Sequence, residues 1–493
     1  MQLKNIMAFD LVFFGGTGDL VWRKLMPALF QAFRHDTLPE GGRIIGIGRD
    51  DMTDAQYRQQ IQSRFEQVEG DKRPKPEEFA QFASLLCYVR MDLSKPEAYA
   101  ALSARLAERE TDTVVMYLST APSLFTTVCE QLHANGLNTP KTRIVLEKPL
   151  GHNLASNRAI NEAVGKAFKE QQIFRIDHYL GKPAVQNLFA MRFGNALFEP
   201  LWRREHIANI QITMSEELGV EKRGGFYETT GALRDMVQNH ALQLLCAIAM
   251  EPPINAHADA IRDEKLKVLR ALKRWTPETL SQHVIRGQYS AGNIEGKAVP
   301  AYREEPGVNA QSSTETFVAL RTEIANWRWA GVPFYIRTGK RMASREAHIQ
   351  INFRPTPHEI FRSPSGQVNK LVIHLQPKDG LELHLFAQGQ SKRNQGSSGA
   401  TLSPVHLDLD FDKRFGSERV GAYERLLLDV LDGRLNLFVR SDEQEEAWRW
   451  VEPILQHWQN DTIGPRPYAS GTWGPSAASA MIARDGFCWS EET

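Results

Sequence analysis

The sequence has little cysteine and no long apolar run, and each shortage removes a class of protein. Only four cysteines occur among 493 residues, namely Cys87, Cys129, Cys246 and Cys488. Their spacing suggests neither a zinc site nor a disulfide framework. Apolar runs such as DLVFF and LLCAIAM are far shorter than the roughly 20 residues that cross a membrane. The N-terminus also lacks a basic segment followed by a cleavable apolar core. We therefore predict a cytoplasmic protein with no membrane partner and no metal.

The sequence also lacks an excess of charge of either sign. It has 59 Lys plus Arg and 59 Asp plus Glu, with 42% hydrophobic and 24% charged residues. This balance gives no argument for a nucleic-acid partner, so any anion site must be a local cluster. The length favours more than one globular domain.

Residues 1–180 alternate between strand and helix patterns. Strands are predicted at 10–15, 43–48, 87–93, 113–119, 143–149 and 173–179, with helices at 19–35, 54–69, 96–109, 123–135 and 153–170. Continuous apolar strands joined by helices indicate a parallel sheet that is covered on both faces. We predict an α/β, doubly wound Rossmann-type domain over 1–180, with its ligands at the carboxyl ends of the strands.

Residues 181–493 have a different texture, with long strands of alternating polarity. These include 208–218, 281–292, 314–324, 332–342, 347–354, 370–377 and 381–388. Short turns join several of them, which predicts an antiparallel sheet. Flanking helices are predicted at about 229–250 and 443–459, so this larger domain is α+β. The loop 389–402 is the best candidate for mobility.

The stretch FFGGTGDLVWRKL, residues 13–25, follows the first strand and opens the first helix. Gly16, Gly18 and Val21 map onto the dinucleotide fingerprint G-x-G-x-x-G/A, in which the third position is normally tiny. Val21 therefore predicts a wider contact between helix and strand. The amide N–H groups and the dipole of the helix start favour a phosphate, and Lys24 adds positive charge. The alternative is an ordinary tight turn.

Arg49 follows the second strand, where an NAD enzyme usually has an acidic residue. Arginine suits the 2′-phosphate of NADP, although an ordinary surface arginine is the alternative. Asp50 and Asp51 come next and repel a phosphate unless they turn away from it. Thr53 or Asp54 is a suitable N-cap for the next helix. We predict NADP as the cofactor, with NAD as a secondary one.

Two further segments lie at predicted strand ends. Glu147 and Lys148, in RIVLEKPLG, end the fifth strand at the ligand edge of the sheet. The segment RIDHYLGK, residues 175–182, places Asp177, His178 and Lys182 close together. His178 and Lys182 are candidates for an anion site, and Asp177 is a candidate for orienting a histidine elsewhere. A solvated charged loop is the alternative.

His240 lies in the helical segment GALRDMVQNHALQLLCAIAM. At 100° per residue it shares a face with Met236, Leu244 and Ala247, so we expect apolar surroundings. A lone histidine there is more often a core residue than a base. A buried carboxylate partner would favour the base, because it fixes the tautomer and stabilises the protonated ring.

Eight motifs, taken together, resemble the glucose-6-phosphate dehydrogenase family nearly end to end. They are GGTGDL, EKPLG, RIDHYLGK, RDMVQNH, IRDEKLKVL, NWRWAGVPFYIRTGKR, AYERLLLDVL and GTWGP. The first-turn pattern of this family is G-x-x-G-D-L, which Gly15, Gly18, Asp19 and Leu20 match. The opening glycines then represent a dinucleotide turn of a different pattern.

The resemblance implies roles for matching positions. His240 is similar to the base that takes the proton from the C1 hydroxyl, and Asp177 to its carboxylate partner. The implied substrate ligands are His178, Tyr179, Lys182 and Arg345 for the phosphate and Glu216, Asp235, Lys340 and Lys148 for the rest of the substrate. The implied cofactor residues are Gly15, Gly16, Thr17, Gly18, Asp19, Leu20, Lys24, Arg49, Asp92, Leu93 and Lys148. Arg345 stands where many members have lysine, which changes the geometry expected of that contact.

The function implied by the resemblance is oxidation of β-D-glucose 6-phosphate at C1 to 6-phospho-D-glucono-1,5-lactone, with hydride transfer to NADP⁺. This reaction is the first oxidative step of the pentose phosphate pathway. The family forms homodimers or homotetramers through its sheet domain, so we expect the same here. One alternative is a related sugar oxidoreductase of the glucose–fructose oxidoreductase type. The other is a catalytically silent NADP-binding homologue. The phosphate-binding segment argues against the first alternative, and the intact His240 and Asp177 argue against the second.

Overall fold

A computed structural model describes residues 8–67, 73–358, 360–361, 368–388, 402–416, 420–461 and 463–492. The loop predicted to be mobile lies outside these residues, apart from Leu402. The chain forms two compact units. The first comprises Met1–Gly181, Pro253–Arg262 and Val420–Glu445, and the second comprises Lys182–Pro252, Asp263–Arg419 and Glu446–Thr493.

The strands, in chain order, are β1 Phe9–Phe14, β2 Gly42–Gly48, β3 Leu86–Arg90, β4 Thr113–Leu118, β5 Thr142–Leu146, β6 Ile173–Ile176, β7 Ile207–Ser215, β8 Val284–Ser290, β9 Gly292–Ile294, β10 Lys297–Val299, β11 Phe317–Glu323, β12 Pro333–Gly339, β13 Glu346–Phe353, β14 Lys370–Gln376, β15 Gly380–Gln388, β16 Leu402–Asp410, β17 Phe438–Val439 and β18 Arg466–Ala469. The α-helices are α1 Met26–Arg34, α2 Asp54–Phe65, α3 Pro76–Ser84, α4 Tyr99–Ala107, α5 Phe125–Ala134, α6 Leu154–Ala167, α7 Pro183–Gly194, α8 Gly224–Tyr227, α9 Leu242–Ala249, α10 Ala258–Ala271, α11 Pro277–His283, α12 Phe411–Phe415, α13 Ala422–Asp432, α14 Ser441–Asn460 and α15 Ser476–Ala483. None of these helices is long and apolar enough to span a membrane, as far as the described residues go.

The first unit contains a seven-stranded sheet in the order β17-β6-β5-β4-β1-β2-β3. Strands β1 to β6 pair in parallel. Alternate residues of β1 enter different cores: Phe13 packs in a cluster with α1 and α13, and Val12 in a cluster with α4 and α5. Both faces of the sheet are therefore covered, which confirms the predicted doubly wound fold.

Two late elements, both within Val420–Glu445, belong to this first unit. The strand β17 pairs antiparallel with β6, and Leu426, Leu427 and Val430 of α13 join the same core as β1. The division predicted from the sequence, 1–180 and 181–493, did not include these returning segments.

The second unit is built on a nine-stranded sheet in the order β16-β15-β14-β13-β7-β12-β11-β8-β18. Most neighbours are antiparallel, as predicted, but β7 pairs in parallel with β12 and β8 with β18. The partners in both parallel pairs are distant in sequence, so no tight hairpin constrains their relative direction. The sheet is therefore mixed.

The prediction of a strand from residue 281 was wrong at its start. Residues 281–283 are the end of α11, and β8 begins at Val284. Thr276 caps α11 through a hydrogen bond from the Thr279 amide, and Pro277 occupies the first helical position. Threonine followed by proline is a helix-start signal that outweighed the strand-like alternation.

Two helices contain π-helical turns, in which the backbone hydrogen bonds span five residues. The first helix of the chain begins with such a segment, Val21–Leu25, before α1. The second covers Leu233–Ala241 and continues as α9. The helix predicted at 229–250 thus exists, but its first half does not have the 100° periodicity assumed for it. The helix predicted at 443–459 is α14.

Candidate active site

The glycine turn after β1 is held by close backbone contacts. The amides of Gly15 and Gly16 donate to the Ile47 carbonyl at 3.1 and 2.7 Å, and the amide of Gly18 donates to the Gly15 carbonyl at 2.9 Å. A Cβ atom on Gly16 would lie 2.5 Å from the Gly46 Cα. Gly15 has a φ of +89°, which side-chain-bearing residues rarely adopt. The turn therefore requires glycine and opens directly into the first helix.

Val21 is fully buried at the start of the π-helical turn. This is the position at which the fingerprint calls for a tiny residue. The amide of Met26 donates to the Val21 carbonyl, five residues back. A π-helical turn thus begins at Val21, whereas the wider contact between helix and strand stays a prediction. Lys24 is exposed in this turn, and the exposed Asp19 pairs with Arg23 at 2.6 Å.

Several predicted residues lie within three positions after the carboxyl ends of parallel strands. Arg49 follows β2, Asp92 and Leu93 follow β3, Lys148 follows β5 and Asp177 follows β6. Because the strands are parallel, these ends lie along one edge of the sheet. The parallel sheet therefore gathers these residues at the edge where the sequence predicts ligands, although β3, β5 and β6 end earlier than predicted.

The positive charge of Arg49 acts on the carboxylate of Asp92. Hydrogen bonds from Ser94 lower the pKa of Asp92, and the positive charges of Lys95 and Arg49 act in the same direction. The Ser94 hydroxyl donates to Asp92 Oδ1 at 2.8 Å. Arg49 itself is exposed at the end of β2, in the position predicted for a phosphate contact.

The acidic residues after Arg49 do not cap α2. Thr53 is the N-cap, and its side chain and that of Gln56 form a reciprocal capping box. Asp51 instead pairs with Arg90 at 3.3 Å on the surface. One of the two carboxylates is therefore partly neutralised by an arginine that the sequence analysis did not consider.

Glu147 is buried beside Lys148 at the end of β5. Tyr117 of β4 donates a hydrogen bond to Glu147 Oε1 at 2.6 Å. Burial raises the pKa of the Glu147 carboxyl, although Tyr117 and Lys148 oppose this shift. Sequence reasoning placed Glu147 at the ligand edge but missed Tyr117, since two separate strands bring this pair together.

The segment after β6 forms a tight, ordered turn and not a solvated loop. Asp177 is 2% exposed, and its Oδ1 accepts a hydrogen bond from the Tyr179 amide at 2.9 Å. The ring of His178 stacks on Tyr423 of α13, with centroids 6.0 Å apart and an interplanar angle of 9°. The late segment α13 thus supports a residue predicted to bind phosphate.

In the second unit, a charged pair lies at the ends of two parallel strands. Glu216 follows β7 and Lys340 follows β12, and the preceding residues Ser215 and Gly339 are register partners. The Lys340 ammonium donates to Glu216 Oε2. The sheet therefore brings together two predicted sugar-site residues that are 124 positions apart in the sequence.

Tyr227 lies among these groups and was missed by the sequence analysis. The Lys340 Nζ atom lies 5.2 Å from the centroid of its ring. Burial raises the pKa of Tyr227, and the charges of Asp235, Glu315 and Glu216 add to this effect. Tyr227 thus identifies Asp235, Glu216 and Lys340 as one cluster. No local pattern marks Tyr227, because a lone tyrosine in a short helix has no distinctive spacing.

Asp235 and His240 lie in the π-helical segment Leu233–Ala241. His240 is 0% exposed, and the predicted neighbours Leu244 and Ala247 are also fully buried. The five-residue hydrogen-bond spacing of a π-helix brings residues i and i+5 close in angle, so Asp235 and His240 share a face. Such turns often occur at functional sites.

The last two predicted ligands lie at the ends of other elements. Lys182 immediately precedes α7, and its Nζ atom donates to Gln376 Oε1 at 3.0 Å. Arg345 is exposed immediately before β13. Gln376, at the end of β14, is a further polar group that sequence reasoning missed.

The chain matches two family models that together cover nearly all of it. "Glucose-6-phosphate dehydrogenase, NAD binding domain" matches residues 12–187, and "Glucose-6-phosphate dehydrogenase, C-terminal domain" matches residues 189–490. This chain belongs to the glucose-6-phosphate dehydrogenase family. The resemblance inferred from the eight motifs is thereby confirmed, and the family assigns a nicotinamide dinucleotide-binding domain to the first part of the chain.

Individual members of the glucose-6-phosphate dehydrogenase family are similar over almost the whole length. A glucose-6-phosphate 1-dehydrogenase of Rhizobium meliloti (strain 1021) is 47% identical, with 99% of each chain covered. A crystal structure of the enzyme from Mycobacterium avium has a TM-score of 0.81 at 36% identity, covering 98% of each chain. A glucose-6-phosphate dehydrogenase solved in complex with its substrate glucose 6-phosphate has a TM-score of 0.87 at 32% identity. It covers 99% of this chain and 100% of that one.

Proposed function

We propose that this chain oxidises β-D-glucose 6-phosphate at C1 to 6-phospho-D-glucono-1,5-lactone, with hydride transfer to NADP⁺. The observation that carries the proposal is the match, over 99% of the chain, to a dehydrogenase solved with glucose 6-phosphate. The two sets of groups described above supply what such a reaction needs: a dinucleotide turn and a cluster of polar side chains beside a buried histidine.

His240 is the proposed general base, and Asp177 is its proposed carboxylate partner. The base takes the proton of the C1 hydroxyl as the hydride leaves C1, and a C=O double bond forms in the lactone. A buried imidazole suits this role when a carboxylate stabilises its protonated form. No covalent intermediate is required.

Glu216, Asp235 and Lys340 are proposed to bind the sugar. The Lys340–Glu216 pair and the charges around Tyr227 supply both donors and acceptors. Hydroxyl groups need both kinds of partner, and a preformed pair presents them without reorganisation. Lys148 is proposed to contact both substrate and nicotinamide.

His178, Tyr179, Lys182 and Arg345 are proposed to bind the phosphate. This group is remote from C1, so its binding energy acts by positioning the reacting carbon. Charge-assisted hydrogen bonds to phosphate are roughly twice as strong as neutral ones. The exposure of Arg345 leaves its planar fork accessible to a bidentate contact.

NADP⁺ is the proposed cofactor, and its nicotinamide ring accepts the hydride when it is bound. The glycine turn opens into the first helix, whose amide N–H groups and dipole favour a pyrophosphate, and contacts with neighbouring backbone keep Gly15 and Gly16 free of side chains. The residues proposed to hold the cofactor are Gly15, Gly16, Thr17, Gly18, Asp19, Leu20, Lys24, Arg49, Asp92, Leu93 and Lys148. Arg49 favours the 2′-phosphate, and the pairing of Asp51 with Arg90 reduces repulsion. We propose NAD⁺ as a secondary cofactor.

A homodimer or homotetramer in the cytoplasm is proposed, assembled through the nine-stranded sheet. The strand β16 supports this assembly, because it presents the exposed apolar side chains Val405, Leu407 and Leu409. Size-exclusion chromatography with light scattering measures the molar mass of the assembly directly. A monomer at assay concentration would contradict the proposal.

One assay tests the proposed reaction. The purified protein is incubated with NADP⁺ and, separately, with glucose 6-phosphate, glucose or no sugar, while the absorbance of reduced nicotinamide is followed. We expect rapid reduction only with glucose 6-phosphate. Equal rates with glucose would indicate a different sugar oxidoreductase. Cofactor binding without reduction in any arm would indicate a silent homologue.

A further inference from the structure

A buried glutamate, Glu315, binds the start of the helix that carries His240. Glu315 is 6% exposed in the loop before β11. Its backbone carbonyl accepts a hydrogen bond from the Ala232 amide at 3.0 Å. Its carboxylate Oε1 atom accepts another from the Leu233 amide at 3.0 Å. One residue thus satisfies two of the N–H groups that a helix start leaves without an intrahelical partner.

The helix start is shaped to admit this carboxylate. Gly231 has a φ of +67°, and a Cβ atom there would lie 2.4 Å from Glu315 Oε1. Burial raises the pKa of Glu315, while the hydrogen bond from Leu233 and the charge of Arg234 oppose the shift. A negative group is favoured at this end of a helix by the dipole.

The residue after Glu315 is bonded to the sugar-site cluster. The Thr316 carbonyl accepts a hydrogen bond from the Lys340 amide at 2.9 Å. The Thr316 hydroxyl lies 3.0 Å from the Tyr468 hydroxyl, which donates to the Lys340 carbonyl at 2.6 Å. The dipeptide Glu315–Thr316 therefore connects the start of the His240 helix to the backbone of Lys340.

We propose that Glu315 is a positioning residue, which fixes the helix carrying Asp235 and His240 relative to the Lys340–Glu216 pair. Glu315 acts through the backbone of the helix and not on the substrate. The inference rests on the proposed function, since it assumes that His240 and Lys340 serve the same substrate. A displacement of about 1 Å in a reacting group is enough to cost a hundredfold in rate.

Three variants test the role of Glu315. Glu315→Ala removes the acceptor for the Leu233 amide, whereas Glu315→Gln keeps an oxygen at that position. Thr276→Ala is the matched control, because it removes the cap of α11 in the same unit. We expect Glu315→Ala to lower kcat by about tenfold to a hundredfold, with a smaller change in KM for glucose 6-phosphate. Binding of NADP⁺ without sugar is expected to be unchanged.

Glu315→Gln is expected to restore kcat to within about threefold of wild type, and Thr276→Ala to leave kcat unchanged while lowering the melting temperature. Wild-type kcat in Glu315→Ala, or equal losses in Glu315→Ala and Thr276→Ala, would overturn the proposal. If Glu315→Ala does not fold, Glu315→Asp takes its place, because it withdraws the carboxylate by one methylene. Wild-type kcat in Glu315→Asp would then overturn it. Wild-type protein without activity on glucose 6-phosphate would instead refute the proposed function.

Discussion

The proposed dinucleotide turn of the first unit and the proposed sugar-site cluster of the second are built by different physical means. Backbone contacts hold the turn, in which Gly15 and Gly16 leave no room for a side chain. The cluster consists of buried or half-buried charges, Glu216, Lys340 and Asp235, that lie around one tyrosine. A backbone site leaves a motif in consecutive residues, whereas a side-chain site is assembled from distant segments. The first kind is therefore readable from sequence, and the second requires the fold.

The largest effect on turnover should come from the second unit, at the proposed base His240. His240→Asn keeps a polar group of similar size but removes the base, which typically contributes about 10²–10⁴-fold. We expect kcat to fall at least about a hundredfold, with little change in KM for glucose 6-phosphate. His348→Asn, at another buried histidine of the same unit, is the matched control. Near-normal turnover by a folded His240→Asn variant would remove His240 from the mechanism.

The proposed phosphate ligands should show a smaller effect that depends on the substrate. Lys182→Ala removes a charge-assisted hydrogen bond worth roughly 1.5–3 kcal/mol. We expect KM for glucose 6-phosphate to rise about tenfold to a hundredfold, and activity toward glucose to change little. Lys267→Ala, at an exposed lysine paired with Glu264, is the control. Equal losses on both sugars would mean that Lys182 serves something other than phosphate.

Cofactor choice compares a backbone site with a side-chain site within the first unit. The glycine turn is proposed to bind the pyrophosphate of either cofactor, and Arg49 is proposed to discriminate between them. Arg49→Ala should lower kcat/KM for NADP⁺ by about tenfold to a hundredfold, while NAD⁺ changes little. Arg64→Ala, at an exposed arginine of α2, controls for general charge. An unchanged ratio between the cofactors would place the 2′-phosphate elsewhere.

A variant of Arg90 provides a second test of cofactor choice. Because Arg90 pairs with Asp51, Arg90→Ala should expose the phosphate to that carboxylate. We expect a shift of the cofactor ratio toward NAD⁺ that is smaller than the shift produced by Arg49→Ala. A shift in Arg90→Ala that Asp51→Asn does not reverse would show that Arg90 acts by itself.

The smallest effect concerns stability. Burial raises the pKa of Glu147 above its ordinary value of 4.5, so the folded state binds its proton more tightly than the unfolded state. Ionised Glu147 is therefore unfavourable in the fold. As pH falls from the raised pKa toward the ordinary value, wild-type protein should gain unfolding free energy relative to Glu147→Gln. Urea unfolding across this range measures the difference, and parallel pH profiles would contradict it.

The sequence predicted the parts of the molecule that are encoded locally. Strand ends in the first unit were located to within a few residues. Arg49 follows β2 as expected, whereas Asp92, Lys148 and Asp177 lie just beyond strands that were predicted to include them. The start of α11 was missed although Thr276 and Pro277 are a local signal. The alternating polarity of the same stretch resembled a strand and was given more weight than this helix-start signal.

Other features were beyond local patterns. A two-residue strand such as β17 carries no information about the sheet it joins, and its pairing with β6 depends on the whole fold. The Lys340–Glu216 pair arises because β7 and β12 are parallel neighbours. The π-helical segment that contains His240 lacks the 3.6-residue hydrophobic periodicity by which a helix is predicted from sequence. Family motifs identified these residues, but only the fold shows which of them are adjacent.

Isotope transfer is the most direct test of hydride transfer from C1 of glucose 6-phosphate. The protein is incubated with glucose 6-phosphate deuterated at C1 and with unlabelled NADP⁺, and the reduced cofactor is analysed by mass spectrometry. We expect each molecule of reduced cofactor to carry one deuterium, and the sugar product to carry none at C1. Reduced cofactor without deuterium, or a product that retains the label at C1, would rule out hydride transfer from C1.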